Sequence, residues 1–405
     1  MNAIVLATDR LHAGYVGAYG NAWIETPSLD RLAWESVAFD ACLIESPRLD
    51  DFCRACWQGR HPLAANRPAD AFPTLPAILS EAGVTTALLT DEPAVADHPL
   101  ARAFDSIVRL DEPEFAVIAD DVDDTHLATC FARLIEWLEN APQPYFAWCH
   151  WKAMGARWDA PREFRSRYAE ADDPDPPDSA EVPCRMLDED YDPDELLGVV
   201  QAYAGQVSLF DVCLGALLEF LDESRQNRAT LLTLLSARGF PLGEHRRIGP
   251  CDDALHGELT HVPWLMRFPD GLGQSVRSPA LVQPADLPPT LLDWWGIHAL
   301  PPLAPASSLM PLAREDLESI RDRLALIGRD NAWALRTPAW YLRHADKPEL
   351  FVKPDDRWEV NDVADRCHEV VELLEQVYSG YAVFLRSGNL EKPPPLDEVL
   401  LSGLE

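Results

Sequence analysis

The chain has 405 residues, 47% of them hydrophobic and 25% charged, which is enough to bury a large core in one long domain or in a large and a small one. Its 67 acidic against 34 basic residues give a net charge of −33. That balance excludes a nucleic-acid binder and disfavours sulfated or phosphorylated polymers outside a local basic pocket.

No run of about 18 apolar residues is evident, so no membrane span is expected. The opening MNAIVLATDR has no basic segment followed by an apolar one and a cleavage site, so no secretory signal is expected. Nine scattered cysteines without a disulfide framework fit a reducing compartment, and a cytoplasmic location is expected. Cys53 and Cys56 form a C-x-x-C, but no second pair follows at the spacing a structural zinc site needs.

In chain order, AIVLAT (3–8) reads as a strand buried on both faces. Thr26-Pro27 then caps a helix through SLDRLAWESVAF, with the threonine hydroxyl accepting from an early backbone N–H. FPTLPAILSEAG (72–83) is a helix closed by Gly83, and VTTALLT a strand. Helix 126–140 leads into strand 145–151. Residues 171–195 are rich in proline and acid and form an exposed loop. A helix over 196–223, a strand over 229–236, a strand over 262–269 and a helix over 286–297 follow. This alternation predicts a three-layer α/β/α domain with a mainly parallel central sheet. From about residue 330, NAWALRTPAWYLRHA reads as two strands around Thr337-Pro338, followed by a helix near 367–386. The expected division is a large domain over 1–325 and a small strand-helix unit over 326–405.

Ligands of such sheets gather at the carboxyl ends of the strands, where Asp9 and Ala237-Arg238-Gly239 fall. Here the sequence resembles the sulfatases of the alkaline phosphatase superfamily. TDRLHAGYVGAYGNAWIETPSLDRLA is similar to their first strand, glycine-rich loop and TPxLDxLA helix. FAWCHWKAMGARWDAPREF resembles their "PH" strand and loop, and SARGFPLGEH their SDHGxxxGEH segment. HGELTHVPWLMRFPDG resembles YEExxxVPxxxxxPG, DLPPTLLDWWGI the DxxPTLLxxxGI helix, and the segment from Ala334 to Asp365 the family's close.

The resemblance implies a cation, usually calcium, a nucleophile made from Cys within C-x-P/A-x-R, and basic or imidazole groups that hold the sulfate and protonate the leaving oxygen. This chain departs at each point. The two adjacent aspartates of the metal site are Thr8-Asp9, and the later Asp-His or Asp-Asn pair is Ala237-Arg238, so Asp9 is the one plausible ligand left. Ser46-Pro47 and Gly59-Arg60-His61-Pro62 set a common register that puts the modified cysteine at Leu49 and the motif arginine at Cys53. The "PH" histidine falls on Gly155, its proline on Met154, and the late histidine or lysine on Pro250. Two substitutes for the nucleophile are open, Cys53 itself and Asp50 or Asp51. His150 reads as an interior group, and Gly243-Glu244-His245 as a loop-shaping triplet.

Thr8, Asp9, Leu49, Cys53, Gly155, Ala237, Arg238 and Pro250 thus mark a relict cleft, with Arg238 expected to neutralise Asp9 in place of a cation. No cofactor is expected. The main reading is a non-catalytic sulfatase-like protein that binds a ligand or a protein partner. An ester hydrolase with substitute residues, which would use calcium, and an interaction subunit of an active relative stand beside it. Self-association is left open.

Overall fold

The computed structural model describes residues 1–64, 72–224, 229–250, 254–298, 305–387 and 393–403; one of the nine cysteines, Cys251, lies outside them. The strands, in chain order, are β1 (Asn2–Thr8), β2 (Val37–Cys42), β3 (Thr85–Thr90), β4 (Ser106–Arg109), β5 (Tyr145–Trp151), β6 (Arg185–Met186) and β7 (Thr230–Ser236). They continue with β8 (Arg247–Ile248), β9 (Trp264–Arg267), β10 (Val276–Val282), β11 (Leu324–Ile327), β12 (Trp333–Arg336), β13 (Trp340–His344) and β14 (Pro348–Val352). The main sheet has the order β10-β2-β9-β7-β1-β5-β3-β4. β4, β3, β5, β1 and β7 pair in parallel, whereas β9 runs antiparallel to β7. With its helices this is the expected three-layer α/β/α class.

The chain gathers into two compact units. The first contains Met1–Ala38, Leu79–Cys251 and Val262–Arg277, and the second Phe39–Ile78, Asp252–His261 and Ser278–Glu405. This cut differs from a boundary at residue 325, because contacts distant in sequence tie early residues into the second unit. Ile327 N donates to Glu45 O at 2.8 Å, and His61 Nε2 lies 2.9 Å from Ala325 O.

In the first unit β1, β5 and β7 are buried at every residue, as strands covered on both faces must be. Their apolar side chains merge with helices Pro27–Trp34, His126–Asn140 and Pro193–Glu223 in one core. The helix Pro193–Glu223 is long and apolar enough to cross a membrane, although polar and charged residues interrupt its apolar run. However, 72% of its most apolar window is buried inside the protein, as befits a core helix.

Two local readings need correction. The first helix ends at Trp34, and the following VAFDAC is strand β2, whose residues Val37, Ala38 and Phe39 are buried. Thr26 also does not cap that helix through its side chain. Its hydroxyl accepts from Gly17 N (2.9 Å), and Asp211 of the long helix takes the amides of Ser28 (3.0 Å) and Leu29 (2.7 Å) instead. A carboxylate at a helix start is the stronger cap, and 182 residues of separation hid it from the sequence.

The second unit holds the antiparallel sheet β11-β12-β13-β14, which packs with helix His368–Ser387 around Leu335, Leu342, Leu350 and Leu374.

Candidate functional site

Three parallel strands of the first unit end in register. Thr8 lies opposite Ser236 on β7 and Trp151 on β5. The residues that follow are therefore delivered to one edge, and hydrogen bonds lock them together. Ala237 N donates to Thr8 O (2.7 Å), Asp9 N to Trp151 O (2.9 Å) and Arg10 N to Arg238 O (2.9 Å). The Ser236 hydroxyl donates to Arg238 O at 2.6 Å and accepts from Leu11 N at 3.1 Å.

Asp9, 4% exposed, is gripped at this edge by a guanidinium fork. Arg238 Nε donates to Oδ1 at 2.9 Å, and its Nη2 donates to Oδ2. Burial on its own would raise the Asp9 pKa. The charge of Arg238, and then that of Arg10, outweighs burial and holds the carboxyl below its ordinary value.

Arg10 was not singled out in the sequence, although its place beside Asp9 was a signal. Its Nε lies 3.9 Å from Asp9 Oδ1, and the side chain is buried. Its backbone adopts φ 69°, a left-handed conformation uncommon for a non-glycine residue. The Tyr203 hydroxyl, donating to Arg10 O at 2.7 Å, helps hold it there.

Gly155 completes the edge. A Cβ at this position would sit 2.9 Å from Arg10 Cγ and 3.5 Å from Asp9 Oδ2. The position that carries a histidine in the resemblance therefore faces the Asp9 carboxylate, and Arg10 fills the space a side chain there would need. Ala237 offers no ligand atom. The Thr8 hydroxyl is buried and makes no hydrogen bond among the described residues.

A calcium ion requires six or more oxygens and several negative charges. Here one carboxylate has both oxygens engaged by Arg238, and a second guanidinium lies beside it. The residues present do not fit the ion that the resemblance implies.

His150, on β5, is fully buried, and burial pushes its pKa down to about 4. It is a neutral interior group near pH 7. Glu244 shapes its loop, as its Oε2 accepts from Leu242 N at 2.6 Å and its Oε1 lies 3.5 Å from His12 Nε2. Pro250 is half-buried and supplies neither a proton nor a charge.

Leu49 and Cys53 belong to the second unit, on helix Leu49–Gln58. Leu49 is its first residue and is half-buried. Cys53 is 1% exposed, and burial holds the thiol of its neighbour Cys56 well above the ordinary value. No described cysteine forms a disulfide. The two acids that could stand in as nucleophiles are committed. Asp50 accepts from Arg54 Nε at 2.8 Å, and Asp51 from Arg48 Nε at 2.7 Å. A cavity of about 580 Å³ in the first unit, bordered by Val117, Asp120, Arg162 and Asp178, includes none of the eight relict positions.

Comparison with known proteins agrees with this picture of the fold. The sequence model of the family described as Sulfatase matches residues 1–297. An N-acetylglucosamine-6-O-sulfatase of Bacteroides thetaiotaomicron is 23% identical over an alignment covering 94% of this chain and 86% of the relative. A solved structure of a protein in complex with its substrate D-glucosamine-2-N,6-O-disulfate superposes with a TM-score of 0.76 at 18% identity, over 96% of this chain and 99% of the other. The phosphonate monoester hydrolase of Agrobacterium radiobacter superposes with a TM-score of 0.75 at 18% identity, over 95% of each chain.

Proposed function

This chain belongs to the sulfatase family, and from that premise we propose that it is a member that binds a ligand or a protein partner and does not hydrolyse sulfate esters. The observation that carries this reading is the fork from Arg238 to Asp9. In a hydrolase of this kind a dication withdraws charge from the sulfate and from the attacking oxygen. Here a guanidinium occupies the remaining carboxylate. It neutralises Asp9 but, having no vacant orbital, cannot act as a Lewis acid.

The other parts of the reaction lack groups as well. Leu49 offers hydrocarbon in place of a nucleophile. At Gly155 no side chain exists to protonate a leaving oxygen, and adding one meets Arg10. Catalytic groups act as a unit, so the joint loss of metal ligands, nucleophile and acid leaves no partial mechanism. The net charge of −33 further disfavours a polyanionic substrate.

The test is turnover of aryl sulfate, aryl phosphate and phenylphosphonate esters by the purified chain, with and without millimolar calcium. Rates indistinguishable from those of Asp9→Ala are expected. Turnover that requires Asp9 would overturn the reading.

A further inference from the structure

A second group of metal-capable side chains lies in the first unit, outside the Asp9–Arg238 pair. Asp91 follows the last residue of β3, while His126 and Cys130 sit one helical turn apart at the start of helix His126–Asn140. All three are buried, and one donor atom from each lies within 4.8 Å of the other two. We propose that Asp91, His126 and Cys130 form a binding site for a borderline-soft divalent ion of the zinc type.

The distances carry the proposal. His126 Nε2 lies 3.0 Å from Asp91 Oδ2 and 3.6 Å from Cys130 Sγ, and Sγ lies 3.9 Å from the same carboxylate oxygen. Tetrahedral zinc with ordinary bonds to nitrogen, oxygen and sulfur sets the corresponding edges at about 3.3, 3.6 and 3.5 Å. Each observed edge is within about 0.4 Å of its ideal. One oxygen, one nitrogen and one sulfur are thus spaced as three corners of a tetrahedral site.

A proton shared between His126 and Asp91 accounts for one of these contacts but leaves the thiol with only weak interactions. An ion bound between them satisfies all three. Without an ion, burial and then the Asp91 charge keep the Cys130 thiol protonated. Binding breaks the S–H bond, forms a metal–sulfur bond and releases the proton to solvent. The carboxylate and the thiolate then balance the dication.

The surroundings are already set for such a role. The second oxygen of Asp91 accepts from Lys152 N at 2.9 Å, which fixes the carboxylate plane. Asp159 accepts from His126 N at 2.8 Å and from Gln206 Nε2 at 3.2 Å, which anchors the first turn of the helix. The Lys152 ammonium, a potential competitor, is held by Glu112 at 2.8 Å. The three protein ligands leave a fourth tetrahedral position for water or another donor. The family resemblance does not imply this ion, and the proposal does not depend on whether the protein is catalytic.

The test uses the full chain, stripped with chelator and titrated with Co²⁺ and then Zn²⁺. One Co²⁺ per chain, with a sulfur-to-metal charge-transfer band in the near ultraviolet that Zn²⁺ abolishes, is the expected result. That reading on the wild type requires no variant to fold. Cys130→Ser should remove the band, and Cys130→Ser and His126→Gln should each weaken zinc binding about tenfold or more, with circular dichroism confirming their fold. No charge-transfer band in the wild type, or zinc affinity unchanged in both folded variants, would overturn the proposal.

Discussion

In the second unit Asp286 is fully buried, and Arg321 Nη1 donates to it at 2.6 Å. The same carboxylate accepts from the backbone amides of Gln283 and Ser307, both at 2.9 Å, and Arg321 donates onward to the carbonyls of Leu281 (3.2 Å) and Pro305 (3.0 Å). In the first unit Asp9 is nearly as buried, but its carboxylate oxygens meet side-chain cations rather than backbone amides, Arg238 first and Arg10 second. One pair is woven into loops and fixes their shape. The other stands at the ends of three parallel strands with one cation gripping the acid and another beside it. The contrast separates a pair built into a backbone network from a pair held by side chains at a strand edge.

The largest effect is expected where the network is broadest. Arg321→Ala leaves the fully buried Asp286 carboxyl without its guanidinium partner and frees two carbonyls, so a loss of about 3–5 kcal/mol in urea unfolding is expected. Arg238→Ala should cost less, about 2–3 kcal/mol, because its side chain is 12% exposed and Arg10 still faces Asp9. Adding Asp9→Asn to Arg238→Ala should then recover part of that loss in a double-mutant cycle. Additive losses would show that Asp9 and Arg238 do not act as a pair.

Two titrations sharpen the comparison, with opposite signs. His150 has a pKa near 4 in the fold against 6.5 when exposed. The unfolded chain therefore takes up its proton first, and stability is lost as pH falls from 6.5 to about 4, by roughly 3 kcal/mol at most. Glu45, in the second unit, has its pKa pushed up to about 8 by burial, from 4.5. Its contribution is complete below pH 4.5 and is lost as pH rises through 8. His61 shares the sign of His150, so the whole-protein curve mixes the two trends. Single variants separate them. His150→Gln should flatten the acid limb of the urea-midpoint profile, and Glu45→Gln the limb between pH 5 and 8.

The smallest expected effect is on activity. Leu49→Cys supplies a thiol but leaves Asp51 and Cys53 at the two key places of the maturation motif, so no aryl sulfatase turnover should appear in a standard colorimetric assay.

Much of this was legible in the sequence. Strand Tyr145–Trp151 and helix His126–Asn140 carry strong apolar patterns and fall where expected. The Asp9–Arg238 contact could be anticipated because parallel strands bring residues that follow their ends to one edge. What escaped was non-local. The short strands β4, β11 and β14 have four or five residues each and become strands through their neighbours. Asp211 caps a helix from far along the chain, and Asp91 meets His126 across 35 residues. Arg10 was visible as a charge, but only the left-handed turn at its own backbone brings it against Asp9 and Gly155.

The most direct test is calorimetric titration of calcium into the wild-type chain, with Asp9→Asn as control. If Arg238 stands in for the cation, neither protein should bind calcium at millimolar concentration. Stoichiometric binding by the wild type that disappears in Asp9→Asn would contradict that substitution.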